Sequence, residues 1–133
     1  MGAAKEKYYR ILFGTSAIYD VLLGVVFIFF RKRVYAALGI SEKLPAISGY
    51  LALLGAFVLV IGIAYGLIAR GDLRRNVDLI LVGTFYKLAY SVTAFYYWGL
   101  PHVIFSALFG VTDAVFFVLM AECYLSLRKA PPV

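Results

Sequence analysis

Little in this chain can carry the chemistry of a soluble enzyme. It has one cysteine, Cys123, and one histidine, His102, so an internal disulfide is impossible and neither a zinc site nor a Cys-x-x-Cys redox pair can be assembled. A lone histidine in a turn also cannot supply paired axial ligands to a haem. Cys123 therefore reads as a packing residue and His102 as a solvated turn residue. No Gly-x-Ser-x-Gly elbow, His-Glu-x-x-His pair, glycine-rich phosphate loop or dinucleotide fingerprint occurs, and no nucleophile is gathered with a base. The sequence leans against an enzyme and implies no catalytic residue, metal or cofactor. Strict alternation of polar and apolar residues is missing too, which excludes a transmembrane β-barrel.

What fills the chain instead is apolar. Hydrophobic residues make up 64% of the 133 positions and the mean hydropathy is +0.92, against an apolar share of roughly 45–50% in soluble domains. Long runs almost free of charge are separated by short polar joints, and about 20 apolar residues in a helix cross the roughly 30 Å hydrocarbon layer. The net charge of +6 does not mark a nucleic-acid binder, because the basic residues gather at the ends of apolar runs and not on a face or tail. They read as membrane anchors whose stems snorkel to the interface.

The pattern predicts an all-α fold, a four-helix transmembrane bundle forming one domain over residues 1–133. Helix 1 runs from about Tyr8 to Phe30, with Lys5, Lys7 and Arg10 before it and Arg31, Lys32 and Arg33 closing it. It is longer than the roughly 7–15-residue core of a signal peptide and ends in basic residues where a cleavage site would stand, so it is expected to be retained. Val34 to Ile40 reads as a short interfacial piece ending near Gly39. Helix 2 follows from about Pro45 to Ala69, its proline placed in the first turn, with Gly71 as a glycine terminus and Asp72 as a cap. Helix 3 spans about Val77 to Trp98. The joint Gly99-Leu100-Pro101-His102 is so short that helix 4, about Pro101 to Leu127, must return antiparallel beside it. Pro131 and Pro132 read as a frayed tail.

Counting Lys and Arg orients the bundle. With the N-terminus inside, the inner face carries Lys5, Lys7, Arg10, Arg70, Arg74, Arg75, Arg128 and Lys129, eight in all, against Arg31, Lys32, Arg33 and Lys43 outside. The positive-inside rule then places both termini in the cytoplasm, in a multi-pass protein of the cell (inner, cytoplasmic) membrane.

Asp20, Lys87 and Asp113 interrupt the apolar spans, where insertion scales charge about 2.5–3.5 kcal/mol for each such residue. Asp20 lies eleven residues before Arg31, Lys87 eleven before Trp98, and Asp113 eleven after His102. At 1.5 Å per residue all three fall about 16 Å below the outer boundary, near the middle of the layer. Lys87 and Asp113 can face each other across the helix 3–4 hairpin, and Asp20 can join if helix 1 adjoins. An Asp-Lys-Asp cluster would carry a formal charge of −1, so one aspartate holds a proton or a cation balances it. At helical spacing Ser16, Ala17 and Gly24 share Asp20's side, Gly83, Tyr90 and Ser91 that of Lys87, and Ser106 and Gly110 that of Asp113. Three readings stay open: a cluster that binds or moves a proton or small polar ligand, a buried ion pair that only fixes helix register, and a contact with a partner subunit.

Weaker signals surround this core. Glu122 is either a proton exit nine residues beyond Asp113 or an interfacial residue paired with Arg128, Lys129 or Arg10. Asp78 suits a helix N-terminus. Gly55, Gly62 and Gly66 lie on one face of helix 2, a packing surface for the bundle or for another subunit. Of the eleven tyrosines, Tyr8, Tyr9, Tyr96, Tyr97 and Tyr124, with Trp98, suit the membrane interfaces. Tyr19, Tyr65, Tyr86 and Tyr90 lie deeper, where their phenols can reach the charges or a polar ligand.

With its size, its four spans and the points Tyr19-Asp20, Gly24, Lys87 and Asp113, the chain resembles the small four-helix DoxX-like membrane proteins. The resemblance implies an accessory or small-molecule-handling role, such as that of a subunit of a membrane redox or transport complex, and transfers no catalytic residue. The chain is also similar to small multidrug transporters, which carry one acidic residue in helix 1, a role open to Asp20. Lys87 and Asp113 depart from that pattern, and a permanent cation beside the acid would compete with a cationic drug. The expected partners are the lipid bilayer, a small polar ligand, and either a second copy or a larger membrane complex, with no nucleic acid.

Overall fold

Ala3, Ala4, Lys5, Glu6 and Lys7 are strong helix formers, and Arg10 holds Glu6 one turn away, donating from Nη2 at 2.8 Å and Nε at 3.1 Å to its Oε1. In the computed structural model of the chain, which describes residues 1–97 and 106–129, the first helix accordingly begins ahead of the expected Tyr8. α1 is Ala3–Val25. It passes through a π-helical turn, Val26–Phe30, and continues as α2, Arg31–Ala37. The basic triplet expected to close the helix instead lies within it, because no glycine or proline stands between Val25 and Gly39 and arginine and lysine favour helix. Gly39 makes the stop. It adopts a left-handed φ of +71°, its N–H donates to the Ala36 carbonyl, and the Ile40 N–H donates to that of Tyr35. This is a Schellman closure, which satisfies carbonyls the helix end leaves open.

A 3₁₀ turn, Ser41–Lys43, leads to Leu44, whose extended backbone is what a following proline imposes. Helix does not start at Pro45 as expected, and residues 45–48 are non-helical. α3 is Gly49–Arg70, and its first bonds run to the Ser48 carbonyl from the N–H groups of Leu51 and Ala52. At its end Gly71 is not left-handed; Asp72 Oδ1 instead accepts from the Arg74 N–H at 2.9 Å and so caps the connection. α4 is Val77–Tyr97, with Asp78 in its first turn as expected. A π-helical segment, Ser106–Val111, runs into α5, Thr112–Lys129. Trp98, the joint Gly99 to His102, the expected start of helix 4 at Pro101 and the Pro131-Pro132 tail lie outside the described residues.

The described residues are helical throughout, with turns between, and four helices are long and apolar enough to cross a membrane: Ala3–Ala37, Gly49–Arg70, Val77–Tyr97 and Phe109–Lys129. The chain divides into two compact units, Gly14–Gly66 and the combination of Met1–Phe13 with Leu67–Val133.

Within Gly14–Gly66, α1 and α3 pack antiparallel through glycine. A Cβ added at Gly24 would lie 2.8 Å from the Gly55 carbonyl oxygen and from the Leu59 nitrogen, and one at Gly62 would lie 2.8 Å from the Val21 nitrogen. Backbone meets backbone there, so nothing larger than hydrogen fits. Gly66 is looser, with 3.8 Å to the Ala17 Cβ. The face of α3 turned away from this contact carries Tyr50, Leu53, Phe57, Val60 and Ile63, all exposed. Such an apolar stripe is stable in lipid and costly in water.

Within the other unit, α4 buries Ile80, Gly83, Thr84, Lys87, Ser91 and Ala94, a stripe at spacings of three and four. It packs on α5, which buries Asp113, Met120, Cys123 and Leu127. The pairs Lys87 with Asp113 and Ser91 with Gly110 show the two helices to be antiparallel, as the short joint demands. Arg10 Nη1 donates to the Ala69 carbonyl at 2.9 Å, covering an open acceptor at the end of α3.

Gly24→Ala and Gly62→Ala are each expected to destabilise the protein by about 1–3 kcal/mol, seen as a lower thermal midpoint in mild detergent, while Gly66→Ala leaves the midpoint unchanged. Equal shifts at all three positions would mean that close backbone approach is not what these glycines provide.

Candidate functional site

Lys87 lies ten residues from either end of α4, and α4 is about 31 Å long at 1.5 Å per residue. Its side chain has no exposed surface, and that of Asp113 is 3% exposed. Nζ donates to Asp113 Oδ1 at 3.1 Å. The ammonium also stands 4.9 Å from the ring centroid of Phe116 and 5.7 Å from that of Tyr86, within the reach of cation–π attraction. The Lys87 amine is thus met by the Asp113 carboxylate and by two aromatic faces.

The backbone around the pair is unusual in one respect. The π-helical segment Ser106–Val111 enters α5 immediately before Asp113, and two hydroxyls take carbonyls of that segment. Ser91 Oγ donates to the Gly110 carbonyl at 2.8 Å, and Thr112 Oγ1 to that of Ala107 at 2.9 Å. π-helical turns inside α-helices recur at functional sites because they re-aim the residues that follow. Gly110 further admits the Phe95 ring, whose carbons would lie 2.8 Å from an added Cβ. Ser91, Gly110 and Phe95 thereby hold the start of α5 on α4, and Asp113 in front of Lys87.

The aromatic neighbours extend this site. Tyr86 and Tyr90 lie with ring centroids 4.8 Å apart, and Tyr90 lies 6.2 Å from Phe109. Phe109 and Phe116 are the members that sequence reasoning did not single out. Phe116 is one helical turn beyond Asp113, so spacing on α5 alone could have identified it.

Asp20, Ser16, Tyr19 and Tyr65 belong to the Gly14–Gly66 unit. Asp20 is 2% exposed, Ser16 and Tyr65 are buried, and Tyr19 is half-buried. Ser16 Oγ is buried with no hydrogen-bond partner among the described residues. Gly55 and Gly62 are turned to α1, with Asp20 Cβ 3.1 Å from where a Cβ on Gly62 would sit.

Glu122 has partners other than the expected ones. Its Oε1 accepts from the Tyr9 hydroxyl at 2.9 Å and pairs with Lys5 at 3.7 Å, whereas Arg10 is engaged by Glu6 and Arg128 donates to the Tyr124 hydroxyl at 3.1 Å. The pairing expected with Arg10, Arg128 or Lys129 is thus replaced by one with Lys5. Half exposed and about 13 Å along α5 from Asp113, Glu122 is separated from it by Phe116, Met120 and Cys123, which offer no chain of hydroxyls or carboxylates.

Lys87→Met and Asp113→Asn are each expected to destabilise the protein by about 3–5 kcal/mol, because either leaves a charge buried without its partner, and the double variant to recover much of that loss. Thermal unfolding of the three variants in one detergent measures it; additive losses would show that the pair is not coupled.

Compared with known proteins, the chain matches no family model, no curated protein and no solved structure.

Proposed function

We propose that the chain is a multi-pass protein of the cytoplasmic membrane, with both termini inside, that binds or moves a proton or a small polar ligand at Lys87 and Asp113, with Asp20 as a further buried carboxylate. The observation that carries this reading is an unexposed lysine halfway along an apolar helix, paired to aspartate at 3.1 Å. A structural contact alone gives little reason to keep it, since well-packed apolar residues in place of a buried ion pair are often as stable or more so. Ionisable groups within membrane spans mark ligand and proton pathways. Tyr86 turns its ring to the amine and Tyr90 packs on Tyr86, adding phenols suited to orienting a polar ligand.

A second reading is favoured by the antiparallel register that the pair enforces between α4 and α5. In it the chain is an accessory or assembly subunit of a larger membrane redox or transport complex, the role that the DoxX-like resemblance implies, and the pair is a staple. Because Gly55 and Gly62 face α1, docking would use the outward stripe Tyr50, Leu53, Phe57 and Val60.

Native mass spectrometry of the protein, extracted gently from its own membrane, separates the two. A retained small polar molecule, lost in the folded Lys87→Met/Asp113→Asn double variant, is the expected result, together with slower decay of an imposed pH difference in vesicles carrying that variant if the ligand is a proton. A stoichiometric heteromer whose composition the double variant preserves, with vesicle behaviour unchanged, would assign the pair to the accessory role.

A further inference from the structure

Among the described residues, three cations near the N-terminal end of α1 are held by carboxylates, and four beyond its other end are not. At its N-terminal end carboxylates hold Lys5, Arg10 and, in the α3–α4 connection, Arg75, through Glu122, Glu6 and Asp72. At the other end stand Arg31, Lys32 and Arg33 in α2 and Lys43 in the 3₁₀ turn, and among the described residues none of these four is paired with a carboxylate. The turn packs back on α2, a return made possible by the left-handed Gly39. Lys43 is thereby kept beside α2, the helix whose first turn bears the triplet.

The four side chains do not play one role. Arg31 folds back and donates from Nη1 to the Ile28 carbonyl at 2.6 Å, an acceptor within the π-helical turn. Lys32, Arg33 and Lys43 are exposed. One turn before them Phe29 is 71% and Phe30 43% exposed, and Leu38 lies exposed beyond. Cations are thus layered on apolar side chains that continue into the span. A soluble polyanion has no use for the aromatic layer, and a neutral lipid has none for the cations. A ligand anionic at one end and apolar at the other matches both layers.

We propose that Lys32, Arg33 and Lys43, above Phe29 and Phe30, form a binding site for the phosphate headgroup of an anionic phospholipid. The guanidinium of Arg33 offers a fork to two phosphate oxygens, the ammonium groups supply point charges, and the phenyl rings lie along the upper acyl chain. The inference rests on the membrane reading and is independent of what Lys87 and Asp113 do.

The test is native mass spectrometry of the purified chain in neutral detergent, titrated with equal amounts of phosphatidylglycerol and phosphatidylcholine bearing the same acyl chains. Phosphatidylglycerol adducts are expected to dominate. The preference should fall by about fivefold for each cation removed and vanish in Lys32→Gln/Arg33→Gln/Lys43→Gln, while Arg74→Gln/Arg75→Gln retains it. All three side chains are exposed, so the thermal midpoint of the triple variant is expected to match the parent, and Lys32→Gln alone provides an independent reading. An undiminished preference in the triple variant, an equal loss in the Arg74/Arg75 variant, or complete displacement by millimolar inorganic phosphate would overturn the proposal, the last by identifying a small-anion site. Lys87→Met/Asp113→Asn is expected to keep the lipid preference, so failure here and failure of the ligand-binding reading are distinguishable.

Discussion

In a helix whose outward face is apolar, a polar group on the inward face has to find its partner within the protein, and this requirement organises what lies between the helices. Water is absent from a hydrocarbon layer, and each unsatisfied group there costs several kcal/mol. Ser16 Oγ is an exception, but the chain meets the demand at several buried points. Lys87 is matched by Asp113, Ser91 by the Gly110 carbonyl, and Thr84 by the Ile80 carbonyl. Where the helix is widened into a π turn, Arg31 and Thr112 take up carbonyls of the widened stretch. The register of α4 on α5 follows from these partners, since a shift by one residue would break Lys87 and Ser91 from theirs together.

Helix packing obeys a second consequence of the same solvent. Lipid tails are as apolar as leucine, so burying leucine between helices gains little, and contact area must come from close approach. α1 and α3 achieve it with hydrogen in place of a side chain at Gly24, Gly55 and Gly62. The α4–α5 pair achieves it at Gly110, where the Phe95 ring occupies the space a Cβ would take.

The existence of four spans and the opposition of Lys87 to Asp113 were legible because each rests on a strong signal: a long apolar run, and an ion too costly to leave alone at that depth. The antiparallel return of α5 was legible from the brevity of the joint. Element ends were not. The helix ran on through Arg31–Arg33 because charge does not break helix, and α3 began at Gly49, four residues after the proline that suits a first helical turn. The two π-helical segments have no sequence signature, since they express a choice between backbone bonds that differ little in energy. The partners of Glu122 were not legible because Lys5 and Tyr9 are more than a hundred residues away in sequence, a proximity that only tertiary packing creates.

The halfway position of Lys87 on α4 has a mechanical meaning. A lysine near a boundary can carry its charge to the headgroups by straightening its stem, but that stem reaches about 6 Å, and about 15 Å separates Lys87 from either end of its helix. The ammonium therefore has no route to bulk solvent by rotamer change. It lies about equally far from the two ends of α4, so helix length alone favours neither end as its point of access.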